Sequence, residues 1–121
     1  MHRSTITVAV GIVVLLGSIV NPAWFGSPGD GAAALSWIFH LVGYAALAAA
    51  VRPLFGPGWR GVGAAVAVAT GFGAGVELVQ VGLAYRTGSV ADAALNAVGS
   101  VAGVTVARAV RRLWPSPSTD P

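Results

Sequence analysis

Between Glu77 and Gly103 an otherwise apolar chain carries a run of residues able to do chemistry: Glu77 and Gln80, then Arg86, Ser89 and Asp92, then Asn96, Gly99 and Gly103. Upstream, His40 and Tyr44 stand one turn apart in another apolar stretch. An ionisable group inside a long apolar segment is costly, so Glu77 needs a nearby partner or a function. His40, Glu77 and Asp92 are the candidates for acid or base work or for a proton relay. Arg86 adds a planar guanidinium suited to bidentate contact with a phosphate or carboxylate. Tyr44, Gln80, Ser89 and Asn96 are the hydrogen-bonding candidates around these groups. His40, Glu77 and Asp92 are conceivable metal ligands, but three ligands on separate helices have no diagnostic spacing, and no metal or cofactor is expected.

These residues sit in a chain of 121 residues, 55% hydrophobic and only 9% charged, which falls outside the soluble globular range and reads as one integral membrane domain. The net charge is +3, but the arginines lie at segment ends without forming a dense basic patch, which argues against nucleic acid as a partner. The absence of cysteine excludes disulfides, thiolate metal sites and a cysteine nucleophile.

Four apolar spans follow in order. Residues 5–20 form a stretch about 24 Å long as a helix, just enough to cross a bilayer. A signal peptide would also fit there, but Asn21-Pro22-Ala23-Trp24-Phe25 offers no small-x-small cleavage site, so a retained first helix is expected. Residues 21–31 are a Pro/Gly loop holding Asp30, with Trp24 and Phe25 suited to the membrane interface. The second span, residues 32–51, stops at Arg52-Pro53. After a short turn with Trp59, the third span is expected from Gly61 to Leu83. It is rich in Gly and Ala, which permits close helix approach and self-association, and Gly73, Glu77 and Gln80 share a face at i, i+4 and i+7. Gly71, Gly73 and Gly75 have the wrong spacing for a nucleotide loop and are read as a packing surface.

Ser89-x-x-Asp92 opens the fourth span, expected to end near Val110, in the manner of a capping box. Asp92, Asn96, Gly99 and Gly103 fall on one stripe, polar at the start and small at the end. Residues 1–114 are thus the membrane domain, and 115–121 a Pro-rich tail too polar to fold. Arg3, Arg52, Arg60, Arg108, Arg111 and Arg112 share a side against Arg86 alone, so the positive-inside rule predicts an all-α four-helix bundle in the cell membrane with both termini cytoplasmic. His40, Glu77 and Asn96 then come to one depth in the outer half, with Arg86 and Asp92 at the rim.

The segments His40-Leu-Val-Gly-Tyr44 and Glu77-Leu-Val-Gln80, followed by Arg86-x-x-Ser89-x-x-Asp92-x-x-x-Asn96-x-x-Gly99, resemble the VanZ-like integral membrane proteins. The match runs from about Trp37 to Gly103. Members often carry Lys three residues before the His, where this chain has Trp37. The family is named for a member associated with resistance to the glycopeptide teicoplanin. The resemblance implies a cell-envelope role without a settled reaction.

Three functions fit these residues. In the first, the outer pocket binds, and by one version modifies, an anionic envelope lipid or precursor: Arg86 holds the anion and His40, Glu77 and Asp92 serve as acid or base. In the second, Glu77 and His40 relay protons in a small transporter component. In the third the cluster is a ligand-free scaffold, with Glu77 paired to Arg86 or His40 to set helix register. For Ser89 and Asp92 the structural alternative is helix capping, for Asn96 an interhelical hydrogen bond, and for Gly99-x-x-x-Gly103 close packing.

Overall fold

The computed structural model describes residues 2–21, 24, 31–84 and 88–115. Asp30, Phe25, Arg86 and the tail from residue 116 onward, all singled out above, lie outside them. Among the described residues the chain is all-helical, with four helices: α1 (Arg3–Ile19), α2 (Gly31–Val51), α3 (Gly58–Val81) and α4 (Val90–Leu113), plus a 3-10 turn at Arg52–Leu54. Three stretches are long and apolar enough to cross a membrane, Ala34–Leu54, Gly58–Val81 and Val90–Leu113, while α1 is a shorter apolar helix of 17 residues.

Two boundaries differ by three residues from the sequence expectation. Helix α3 begins at Gly58, not Gly61, because Pro57 supplies an extended N-cap and Gly58 takes φ 83, a conformation open to glycine, as the chain turns into the helix. The Arg52 guanidinium donates to the carbonyls of Phe55 and Gly56, 3.2 Å each, which holds this turn against the helix start. Helix α4 runs on to Leu113, one turn past Val110, since Arg111 and Arg112 are good helix formers that also complement the carbonyl end of the dipole. It stops before Pro115.

Helix α2 is central and packs against each of the other three, most extensively against α4. That closeness follows from the small stripe on α4. A Cβ on Gly99 would run into the carbonyl oxygen of Leu41, and one on Gly103 into that of Ala45, so the two backbones touch where no side chain intervenes. Thr7 fastens α1 to the far end of α2 through a 2.9 Å bond from Oγ1 to the Ala50 carbonyl. The apolar core gathers Val14, Tyr44, Leu47, Ala48, Val51, Ala65, Ala69 and Val104.

The distribution of polarity is that of a membrane bundle. The largest fully buried side chains include Tyr44, His40, Gln80 and Asn96, whereas Leu78, Val81 and Val90 are 77%, 71% and 89% exposed. In water this would be an inside-out arrangement. In a bilayer the exposed aliphatic surface meets lipid, and polar groups gain by turning inward to find partners.

Candidate functional site

The site forms where the last turn of α3, the first two turns of α4 and the middle of α2 meet. Each element brings its residue there for a local reason. His40 and Tyr44 lie one turn apart on α2, their rings stacked with centroids 6.1 Å apart and planes within 2°. Phe39 sets its ring edge-on to His40 at 6.0 Å and lies over Gly17 of α1, closing that side. On α3, Gly73 lets Asn96 and Tyr44 come in close: a Cβ there would stand 2.7 Å from Asn96 Nδ2 and 2.9 Å from Tyr44 Cε1.

Ser89 is the N-cap of α4, its backbone extended and its Oγ accepting from the Asp92 N–H at 3.3 Å. That is half of a capping box. In the complete motif the carboxylate three residues on reaches back to the N-cap N–H. Here that donor is taken from across the bundle: the Ser89 N–H donates to Glu77 Oε2 of α3 at 3.0 Å. Glu77 therefore does the capping that Asp92 would otherwise do, and the Asp92 carboxylate is free to face inward. It turns to His40, with Oδ2 3.7 Å from Nε2.

The other imidazole nitrogen, Nδ1, is 2.8 Å from Asn96 Oδ1, both residues being almost fully buried. An amide oxygen accepts only, so with this orientation Nδ1 carries a proton, and in the neutral ring Nε2 presents its lone pair toward Asp92. His40, Glu77 and Asp92 each place a nitrogen or oxygen within 4.8 Å of the other two. Glu77 Oε1 is buried without a hydrogen-bond partner, as is Asn96 Nδ2.

His40, Glu77, Asp92, Asn96, Ser89 and Tyr44 are thus brought together. Gln80 turns away: its Nε2 donates at 2.7 Å to the Ser18 carbonyl, tying α3 to α1. Glu77, expected to pair with Arg86 or His40 if it served register alone, accepts a hydrogen bond from the Ser89 amide. Arg86 lies outside the described residues. Trp37, at the position where the family often has Lys, is 56% exposed. Two buried serines sit near these contacts without a role expected from the sequence: Ser18, whose Oγ donates to the Val14 carbonyl at 2.7 Å, and Ser100, whose Oγ donates to the Asn96 carbonyl at 2.7 Å. Each had only its polarity to mark it.

No curated protein and no solved structure matches the chain significantly. The sequence pattern of the VanZ/LLP1 family matches residues 6–111, a span that reaches from the first turn of α1 to the last turn of α4 and takes in every residue of the cluster. With this match and three long apolar helices, the chain is a membrane-helical protein that belongs to the VanZ/LLP1 family.

Proposed function

We propose that the cluster at the α3–α4 turn is a recognition site for an anionic cell-envelope lipid or lipid-linked precursor, in the outer half of the cell membrane. The observation that carries this reading is Glu77: a carboxylate with one oxygen buried and unpartnered, beside Asp92 and His40, in a bundle whose remaining interior is mostly apolar. Such a group is expensive to keep in a membrane interior, and residues kept there usually serve a ligand or a proton. Arg86 is the anion contact in this proposal. It stands at the cluster's end of the chain topology and against the charge bias of the other six arginines. Ser89 and Asn96 line the pocket, and His40, Glu77 and Asp92 are the groups able to exchange a proton with the bound headgroup. The family's association with glycopeptide resistance is consistent with an envelope ligand.

A ligand-free scaffold is the second reading, favoured by the internal bonds of Glu77 to Ser89 and of His40 to Asn96. Proton transport has less behind it: the hydroxyls of Ser100 and Thr105, farther along α4, are taken up by carbonyls of their own helix.

The two readings separate on energetics. Removing one partner of a buried polar pair costs about 3–5 kcal/mol, while replacing a whole network with apolar residues is often neutral or stabilising. Arg86→Gln, Glu77→Gln and a joint apolar replacement of His40, Glu77, Asp92 and Asn96 are compared for thermal stability in detergent, for retention of anionic lipid by native mass spectrometry, and for glycopeptide or envelope-stress sensitivity in cells. Recognition predicts loss of lipid retention and of the cellular phenotype in all three, including a joint variant that stays folded. A joint variant that is stable and keeps both lipid and phenotype would leave only the scaffold.

A further inference from the structure

The His40–Asp92 pair is separated by more than a hydrogen bond but lies within contact range of a shared charge. At 3.7 Å, Nε2 and Oδ2 are too far apart to share a proton in a bond of ordinary strength. Yet in the neutral ring a lone pair on Nε2 faces a carboxylate, and His40, Asp92 and Glu77 each place a ligand atom within 4.8 Å of the other two, which concentrates negative potential at one partly buried point. Two groups that each bind an ion at about 2.0–2.2 Å lie roughly 3–4.4 Å from each other, depending on the angle. The His40–Asp92 distance already falls in that interval, and the outermost pair needs to close by less than about 1 Å.

We propose that His40 Nε2, Asp92 and Glu77 form a binding site for a divalent transition ion of the Zn2+ or Mn2+ kind. The donor set of one imidazole and two carboxylates suits such ions better than a thiolate-preferring one. The surroundings have the form a metal site requires. Asn96 Oδ1 accepts from His40 Nδ1–H at 2.8 Å, which fixes the tautomer and aims the Nε2 lone pair at the carboxylates. The Ser89 amide orients the Glu77 carboxylate, and stacking on Tyr44 with the edge of Phe39 holds the imidazole plane. Glu77 Oε1, buried and without a hydrogen-bond partner, is the kind of oxygen an ion would engage. Three protein ligands leave a coordination position open, and an oxygen of an anionic headgroup fits it. The ion would then join the two carboxylates to a ligand that they would otherwise repel.

The cation site goes beyond the lipid reading and is tested apart from it, on protein delipidated in detergent. The full chain is stripped with chelator, incubated with Zn2+, Mn2+ or Co2+, desalted and assayed for bound metal, with the visible spectrum of Co2+ reporting nitrogen and oxygen ligation. The wild type is expected to retain near-stoichiometric metal. His40→Ala and Asp92→Asn should reduce retention more than tenfold. Asn96→Leu, which touches no metal but releases the ring, should weaken affinity by about 10–100-fold. Should a variant not fold, the wild type decides alone, because an ion bound to the native state raises its thermal midpoint in proportion to its concentration over Kd on a logarithmic scale. Wild-type protein that retains no metal and shows no shift with any of the three ions overturns the proposal. Metal binding without lipid retention would sustain this site and defeat the lipid reading. Lipid retention without metal would do the reverse.

Discussion

The smallest decisive feature is the divided capping box. Ser89 and Asp92 have the residue types to cap α4 by themselves, and the Ser89 hydroxyl does accept from Asp92. The Ser89 amide goes to Glu77, and Asp92 is left for His40. A local motif is thereby opened so that a carboxylate can serve a site on another helix. The space for that site depends on Gly73. Gly73→Ala would place a methyl 2.7 Å from Asn96 Nδ2 and 2.9 Å from Tyr44 Cε1, and both are hemmed in by α2 and α4. Overpacking of this kind costs about 1–3 kcal/mol, so the variant should unfold at lower temperature and lose Asn96-dependent binding. A Gly73→Ala protein as stable as wild type would show that Asn96 and Tyr44 have room to move, contrary to the packing.

At the scale of elements, glycines on α3 and α4 divide into those that admit a neighbour and those that do not. Gly99 and Gly103 lie on the α2 backbone at Leu41 and Ala45, while around Gly63, Gly71 and Gly75 an added Cβ meets nothing within 4 Å. Gly99→Leu or Gly103→Leu should push α4 off α2, separate His40 from Asn96 and abolish a cooperative thermal transition. Gly63→Ala, Gly71→Ala and Gly75→Ala should be tolerated or raise stability, since alanine is favoured over glycine in a helix interior by about 1 kcal/mol. If both groups proved equally harmful in detergent unfolding, the α2–α4 contact would not be what holds the bundle. The spacing of Gly99 and Gly103 made the packing role readable in advance; which helix they pack on was not, because three other spans were available to receive them.

For the whole molecule, six arginines at one end against Arg86 at the other predict cytoplasmic termini. The chain has no cysteine, so Thr87→Cys and Ser118→Cys can be introduced singly and probed on intact cells with a membrane-impermeant thiol reagent. Labelling of Thr87→Cys alone is the expected result. Labelling of Ser118→Cys alone would put the cluster at the cytoplasmic face, where an outer-leaflet ligand could not reach it. Polarity is segregated consistently with a membrane setting: His40, Gln80 and Asn96 are buried while the long aliphatics of α3 and α4 face outward.

What the sequence determined by itself is whatever depends on neighbours along the chain. Apolar run lengths set four helices, the Pro/Gly breaks set the turns, and helical spacing put His40 with Tyr44, Gly73 with Glu77, and Asp92 with Asn96 on single faces. That His40, Glu77, Asp92 and Asn96 come together could be inferred too, since ionisable and amide groups in apolar spans gather at a shared depth, but the same reasoning wrongly drew in Gln80. The pairings were decided by tertiary structure alone. Whether Glu77 meets the Ser89 amide, whether Gln80 faces the site or Ser18, and which imidazole nitrogen is left for Asp92 depend on how each helix is rotated and how closely it approaches the next. Rotation and approach are set by packing summed over the whole interface, above all by the backbone contact at Gly99 and Gly103. A shift of a few ångströms there exchanges hydrogen-bond partners without changing a residue's place in its own helix.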